Sequence, residues 1–219
     1  TEVQLSTFRS SLKDLDNWVD VLPIHDESIK TINIDNFNKL LKDSDFWKNI
    51  PSKSVLMMQI DAILIEPIEF SYFKYDYVGA PWCIRKSTSI MFYNYSNDLS
   101  REISNNWETL SFCVNNPIDI PFGNGGLSIR NTEKMASICD LEESDAEEPE
   151  DFYFSKFLLK YKSNLPTINE ARRFACETDY YQSFGSHASH LYLKAEEQAR
   201  IYERHFTHLI SLIQSSINE

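Results

Sequence analysis

Val55-Leu56-Met57-Met58-Gln59-Ile60-Asp61-Ala62-Ile63-Leu64-Ile65 is the stretch that decides the fold. Val55 to Ile60 is a nearly continuous apolar run of strand length, the pattern of a strand buried on both faces in an α/β protein. Asp61 then breaks the run. A carboxylate in that setting loses hydration that only a cation or hydrogen-bond donors restore, so Asp61 demands a partner. The ends of strands in an α/β sheet are also where ligands gather.

Working outward, Trp18 to Ile24 reads as a short buried strand stopped at Pro23. A helix capped by Asp35 follows, with Phe37, Leu40, Leu41 and Trp47 at near-helical spacing up to Pro51. Tyr72 to Tyr77 is aromatic and strand-like, and it runs into Val78-Gly79-Ala80-Pro81-Trp82. Residues 83–119 are polar and weakly periodic, an insertion with one helix over 97–107. Gly123-Asn124-Gly125-Gly126 holds three of the five glycines and reads as a loop where backbone approaches a ligand closely. Leu127 to Arg130 is strand-like, and a helix is predicted over 132–139.

Pro149-Glu150-Asp151 opens an apolar helix, its acidic first turn suiting the helix dipole. Another helix runs from Thr167 towards Cys176, and Tyr180 to Ser189 reads as an aromatic loop. In the tail, Leu191, Ala195, Ala199, Tyr202, Phe206, Leu209 and Ile213 recur every three or four residues, the stripe of one long amphipathic helix.

A chain of 219 residues with 42% hydrophobic and 13% aromatic residues can fill one large core. A net charge of -12 without a basic patch disfavours nucleic acid as a partner. No run approaches the roughly 18 apolar residues of a membrane span, and no secretory pattern opens the chain. The four cysteines, Cys83, Cys113, Cys139 and Cys176, are widely spaced, which fits a reducing cytoplasm. A start at Thr1 without methionine suggests a processed product or one part of a longer polypeptide.

Gln59-Ile60-Asp61, Tyr75-Asp76-Tyr77-Val78-Gly79-Ala80-Pro81-Trp82, Gly123-Asn124-Gly125-Gly126-Leu127-Ser128-Ile129-Arg130, Pro149-Glu150-Asp151-Phe152-Tyr153-Phe154 and Phe184-Gly185-Ser186-His187 stand in a recognisable order. Together they resemble a family of GT-A-like glycosyltransferases of bacteria and large DNA viruses, recorded as a domain of unknown function, over residues 15–190. The resemblance implies an α/β fold of GT-A type, Rossmann-related, with a mixed central sheet flanked by helices. Residues 1–190 would form that catalytic domain, and 191–219 a helix packed on it or on a partner. Two features depart from the family pattern. The strand expected before Val19 is poorly matched by Glu2-Val3-Gln4-Leu5, and Gln59 stands where the metal motif usually has its first aspartate.

The implied activity is transfer of a sugar from a nucleotide-diphosphate donor to a glycan, protein or lipid-linked acceptor, in a bacterial or virus-infected cytoplasm. Asp61 and His187 would hold Mn²⁺ or Mg²⁺, the histidine favouring Mn²⁺. Asp151 would be the general base, with Glu150 as its substitute. Asn124, Gly125 and Gly126 would face the donor sugar, Trp82 and Asp76 would contact substrate, and Arg130 would pair with a phosphate or hold Asp151.

Plainer roles compete with each of these. Asp61 can cap backbone amides, and His187 can bond a carbonyl while His190 takes its place. Asp151 and Glu150 can simply cap a helix. The glycines can form a tight turn, and Trp82 can be core. A Cys176–His187 hydrolase dyad is the least favoured chemistry, because Cys176 lies in a helical, apolar context. At the level of the whole chain, the alternatives are a degenerate scaffold that binds sugar or protein without turnover, and a subunit, homo-oligomeric or otherwise, whose C-terminal helix docks elsewhere.

Overall fold

The structure is a computed structural model that describes residues 33–81, 123–145 and 148–217. The expected strand over 18–24, the insertion over 83–119 and Trp82 lie outside the described residues.

Among the described residues two short helices come first, α1 (Ile34–Leu41) and α2 (Ser44–Lys48). The expected single helix is broken at Lys42-Asp43, because Asp43 caps α2 by accepting from the Asp45 amide. Asn33, not Asp35, caps α1, its side chain accepting from Asn36 N at 2.8 Å. An extended Asn33 leaves its carboxamide free to bond an otherwise orphaned first-turn amide.

Strand β1 (Ser54–Met58) pairs antiparallel with the long β4 (Gly123–Asn131), which pairs antiparallel with β3 (Tyr77–Pro81). A second sheet has the order β2 (Ala62–Leu64), β6 (Gly185–His187), β5 (Ala175–Cys176), with β5 and β6 parallel. The molecule is therefore mixed α/β, and its described residues form two small sheets where one mixed sheet is expected from the sequence. The apolar run at Val55 sits at the edge of its sheet among the described residues and is only half-buried; Met58 and Ile60 are exposed. Burial on both faces belongs instead to β3 and β4. Tyr77 faces a cluster of Trp47, Met135, Phe154 and Leu158, while its neighbour Val78 faces Leu127, Ile129, Phe174 and Phe184. Alternation along β3 thus serves two cores at once.

Tyr72 to Tyr77 is not a strand throughout. Phe70–Lys74 forms a 3₁₀ turn, and β3 starts only at Tyr77. The Tyr72 hydroxyl donates to the Glu170 carbonyl, and the ring packs on Phe174 and Phe184. Tertiary packing here overrides the strand preference of aromatic residues.

Helices α3 (Thr132–Leu141), α4 (Glu150–Lys160) and α5 (Ile168–Phe174) follow, α5 opening on a Thr167–Glu170 capping box. Cys176 lies in β5, not in a helix, and its thiol is free and buried. The expected C-terminal helix is divided. Leu191 belongs to a short α6 (Ser189–Tyr192), and α7 (Ala195–Ile217) begins after Lys194. Among the described side chains of α7, Ile201 is buried, while Tyr202, Phe206, Leu209 and Ile210 are exposed. The helix is held by His205 Nδ1, 2.8 Å from the Leu64 carbonyl, and by an Arg204–Glu66 ion pair. No helix among the described residues is long and apolar enough to cross a membrane.

Candidate functional site at the carboxyl ends of β1 and β6

The glycines of 123–126 are not a loop but the first half of β4. The close approach expected of them is real, and the partners are the protein's own side chains. A Cβ on Gly126 would lie 2.1 Å from His187 Nε2, and one on Gly125 would lie 2.0 Å from Glu150 Oε1. Each glycine is needed where a side chain has taken the space of its missing methyl.

On the Gly126 side, β1 ends as Gln59 N donates to the Gly126 carbonyl at 2.8 Å. The chain turns through Ile60-Asp61 into β2, where Ala62 pairs with His187. This register brings Asp61 Oδ1 to 3.2 Å and Gln59 Oε1 to 3.0 Å from His187 Nε2. The other ring nitrogen, Nδ1, lies 3.1 Å from Glu177 Oε1. Glu177 also accepts from Asn124 Nδ2, and Asn124 Oδ1 accepts from Gly126 N at 2.6 Å and Leu127 N at 3.3 Å. The histidine and Glu177 are buried, whereas the Asp61 side chain is 32% exposed, so this cluster opens to solvent at Asp61. Ala188, just beyond, adopts φ 45°, a left-handed turn that a residue with a Cβ tolerates at a cost.

On the Gly125 side lies a closed pair. Arg130 Nη1 and Nη2 donate to Glu150 Oε2 and Oε1 at 2.5 and 2.9 Å, Nη2 also reaches the Gly125 carbonyl, and Nε donates to Ser128 Oγ. The guanidinium is fully buried among the rings of Tyr77, Phe154 and Trp47, with centroids 5.1, 5.7 and 5.8 Å away. Burial opposes its charge, but Glu150 and its other neighbours more than offset this and hold the group above its ordinary pKa. Buried tyrosine follows the same logic in reverse: burial pushes the Tyr77 phenol upward.

Asp151 is half-buried in the first turn of α4. Burial, then the charges of Glu177, Asp151 and Asp61, raise the pKa of the Tyr192 phenol.

The structure thus brings together Asp61, His187, Asn124, Gly125, Gly126, Arg130 and Glu150, with Asp151 at their border. Arg130 is paired with Glu150, the neighbour of Asp151. His190 is exposed and makes none of the contacts of His187. Asp76 stands apart, at the far end of β4: its Oδ2 accepts from Asn164 N at 2.8 Å, and its carbonyl accepts from Asn131 N. With about 3.3 Å per strand residue, the span from Gly125 to Asn131 separates it from the cluster by roughly 20 Å. A groove of about 370 Å³ lined by Trp47, Lys48, Lys53 and Thr132 also lies at that far end. Glu177 carries no motif in the sequence, and Gln59, though part of the Gln59-Ile60-Asp61 motif, is given no ligand role there.

Among the described residues, no group of three or more His, Cys, Asp and Glu side chains is placed to hold a metal ion. The third donor beside Asp61 and His187 is an amide oxygen, that of Gln59. Donor separations of 3.0 and 3.2 Å suit neighbouring positions on an octahedral cation, which for bonds of about 2.1 Å lie about 3 Å apart.

The molecule is thus an α/β protein with a solvent-open polar cluster at the carboxyl ends of β1 and β6, beside a sealed ion pair. It belongs to the family described as a protein of unknown function (DUF5672), whose model matches residues 19–191. No curated protein and no solved structure was found to match the chain.

Proposed function

We propose that the chain is a metal-assisted glycosyltransferase of GT-A type, taking a nucleotide-diphosphate sugar at the carboxyl ends of β1 and β6. The observation that carries this is the convergence of Gln59 Oε1, Asp61 Oδ1 and His187 Nε2 at the open edge of an otherwise buried network. These three would hold a divalent cation, which supplies positive charge to a diphosphate leaving group. The space over Gly125 and Gly126 is taken by Glu150 and His187, so the donor sugar would lie outward of these side chains, on the solvent side of Asp61.

Asp151 is the general base. In the transfer, the acceptor hydroxyl gives its proton to Asp151 and its oxygen bonds the anomeric carbon. The bond from that carbon to the phosphate oxygen breaks, its electron pair leaving with the nucleoside diphosphate. Arg130 and Glu150 hold the start of α4, and with it Asp151, against β4. The same-site alternative, binding without turnover, is favoured by the amide at Gln59, which weakens the charge offered to a cation.

Release of nucleoside diphosphate from a panel of nucleotide-sugars, with Mn²⁺ and mixed glycan acceptors, tests the reading. The wild type is expected to release product, and Asp151→Asn to release it about 10²- to 10⁴-fold more slowly. Equal rates in the two proteins would remove Asp151 as base, and no release from any donor would leave the non-catalytic alternative.

A further inference from the structure

Glu177 has no place in the transfer chemistry above, yet its carboxylate joins two members of the cluster, Asn124 and His187. It follows directly on β5, whose parallel register with β6 pairs Ala175 with Gly185 and Cys176 with Ser186. The next step of that register sets Glu177 beside His187. Its Oε1 lies 3.1 Å from His187 Nδ1 and also accepts from Asn124 Nδ2, and its side chain is nearly inaccessible to water. A carboxylate is costly in such a place, where a neutral amide would be cheaper to bury.

We propose that Glu177 is the positioning residue of this site, fixing the His187 ring so that Nε2 faces Asp61 and Gln59, and tying that ring through Asn124 to the Gly126-Leu127 backbone. The inference rests on the cation reading given above. A carboxylate at Nδ1 requires the hydrogen on that nitrogen, which reserves Nε2 for the ligand side. The arrangement is tight on the opposite side as well, because the ring fills the space over Gly126. Asn124 completes the link: its Oδ1 fixes the Gly126 and Leu127 amides while its Nδ2 fixes Glu177, so a shift of either element is felt by the other.

The test uses the full chain, with Mn²⁺ alone as the probe, in wild type, Glu177→Gln, Glu177→Ala and Asp61→Ala. Glu177→Gln keeps an acceptor oxygen and loses the charge. It is expected to weaken Mn²⁺ binding about 10-fold and Glu177→Ala about 100-fold, with Glu177→Gln melting within a few degrees of wild type. Mn²⁺ affinity unchanged in both Glu177 variants, but lost in Asp61→Ala, would overturn the role of Glu177 and leave the cation site standing. If the wild type binds no Mn²⁺, the cation reading fails, and nitrogen NMR of the His187 ring in the metal-free protein decides the positioning. A hydrogen on Nδ1 in wild type that is lost in Glu177→Ala upholds it, whereas a bare Nδ1 in wild type overturns it.

Discussion

Gly125 and Gly126 are consecutive, yet the side chains that press on them do opposite things. Against Gly125 lies Arg130 with Glu150, a pair with both guanidinium arms engaged, walled in by three aromatic rings and sealed from water. Against Gly126 lies His187, whose inner nitrogen is held by Glu177 and whose outer nitrogen points to the partly exposed Asp61. A buried ion pair completed on all sides is a structural device; a polar cluster left open on one side is where a ligand can be received. Arg130 and Glu150, charged residues of two different motifs, are therefore separated in role from Asp61 by burial.

The largest expected effect breaks the sealed side. Glu150→Ala strands the Arg130 guanidinium without its counterion and should cost about 3–5 kcal/mol in denaturant unfolding. Asp61→Ala, at the open side, should stay within about 0.5 kcal/mol of wild type while abolishing Mn²⁺-dependent binding. If the two substitutions destabilise equally, the distinction between sealed and open clusters is lost. The double substitution Arg130→Met with Glu150→Leu sharpens it: stability should return to near or above the wild-type value, because an apolar pair of similar volume avoids the desolvation of both charges.

Next in size are the glycines themselves. Gly125→Ala drives a methyl into Glu150 and Arg130, and Gly126→Ala drives one into the imidazole, each costing about 1–3 kcal/mol by overpacking. They should differ in ligand binding. Gly126→Ala displaces His187 and should lose Mn²⁺, whereas Gly125→Ala should keep it, as read by titration at a temperature where both remain folded. The smallest effect lies away from both clusters. Thr167→Ala removes the α5 capping box and should cost about 1 kcal/mol. Glu170, in the same box, has its carboxyl held below the usual range, first by the Tyr75 hydroxyl and then by Thr167. Its folded pKa is depressed, so its contribution is present at neutral pH and fades as pH falls below about 4.3 through the folded value. The difference between Thr167→Ala and wild type should shrink over that acid range.

Much of this was legible in the residues, for physical reasons that can be named. Asp61 after an apolar run, glycines at 125 and 126, and the acidic start of α4 all mark places where backbone or charge needs a partner, and each has one. The edge position that β1 takes among the described residues was not legible, because a run such as Val55–Ile60 looks the same at the edge or the centre of a sheet. Tyr72–Lys74 reads as strand because aromatic residues favour strands, but the packing of Tyr72 on Phe174 and Phe184 wins. The stripe along 191–213 does not follow the docking face, since α7 is held by Ile201, Arg204 and His205 while Tyr202, Phe206 and Leu209 face outward. Glu177 was invisible because its meaning comes from the β5–β6 register, a long-range pairing that no local pattern encodes.

The most direct measurement is a calorimetric titration of the chain with a panel of nucleoside diphosphates, with and without Mn²⁺, in wild type and Asp61→Ala. Binding that requires Mn²⁺ in wild type and vanishes in Asp61→Ala is the predicted result. Binding of no nucleotide under either condition, or binding indifferent to Mn²⁺ and to Asp61, would contradict the assignment of the open cluster as the donor site.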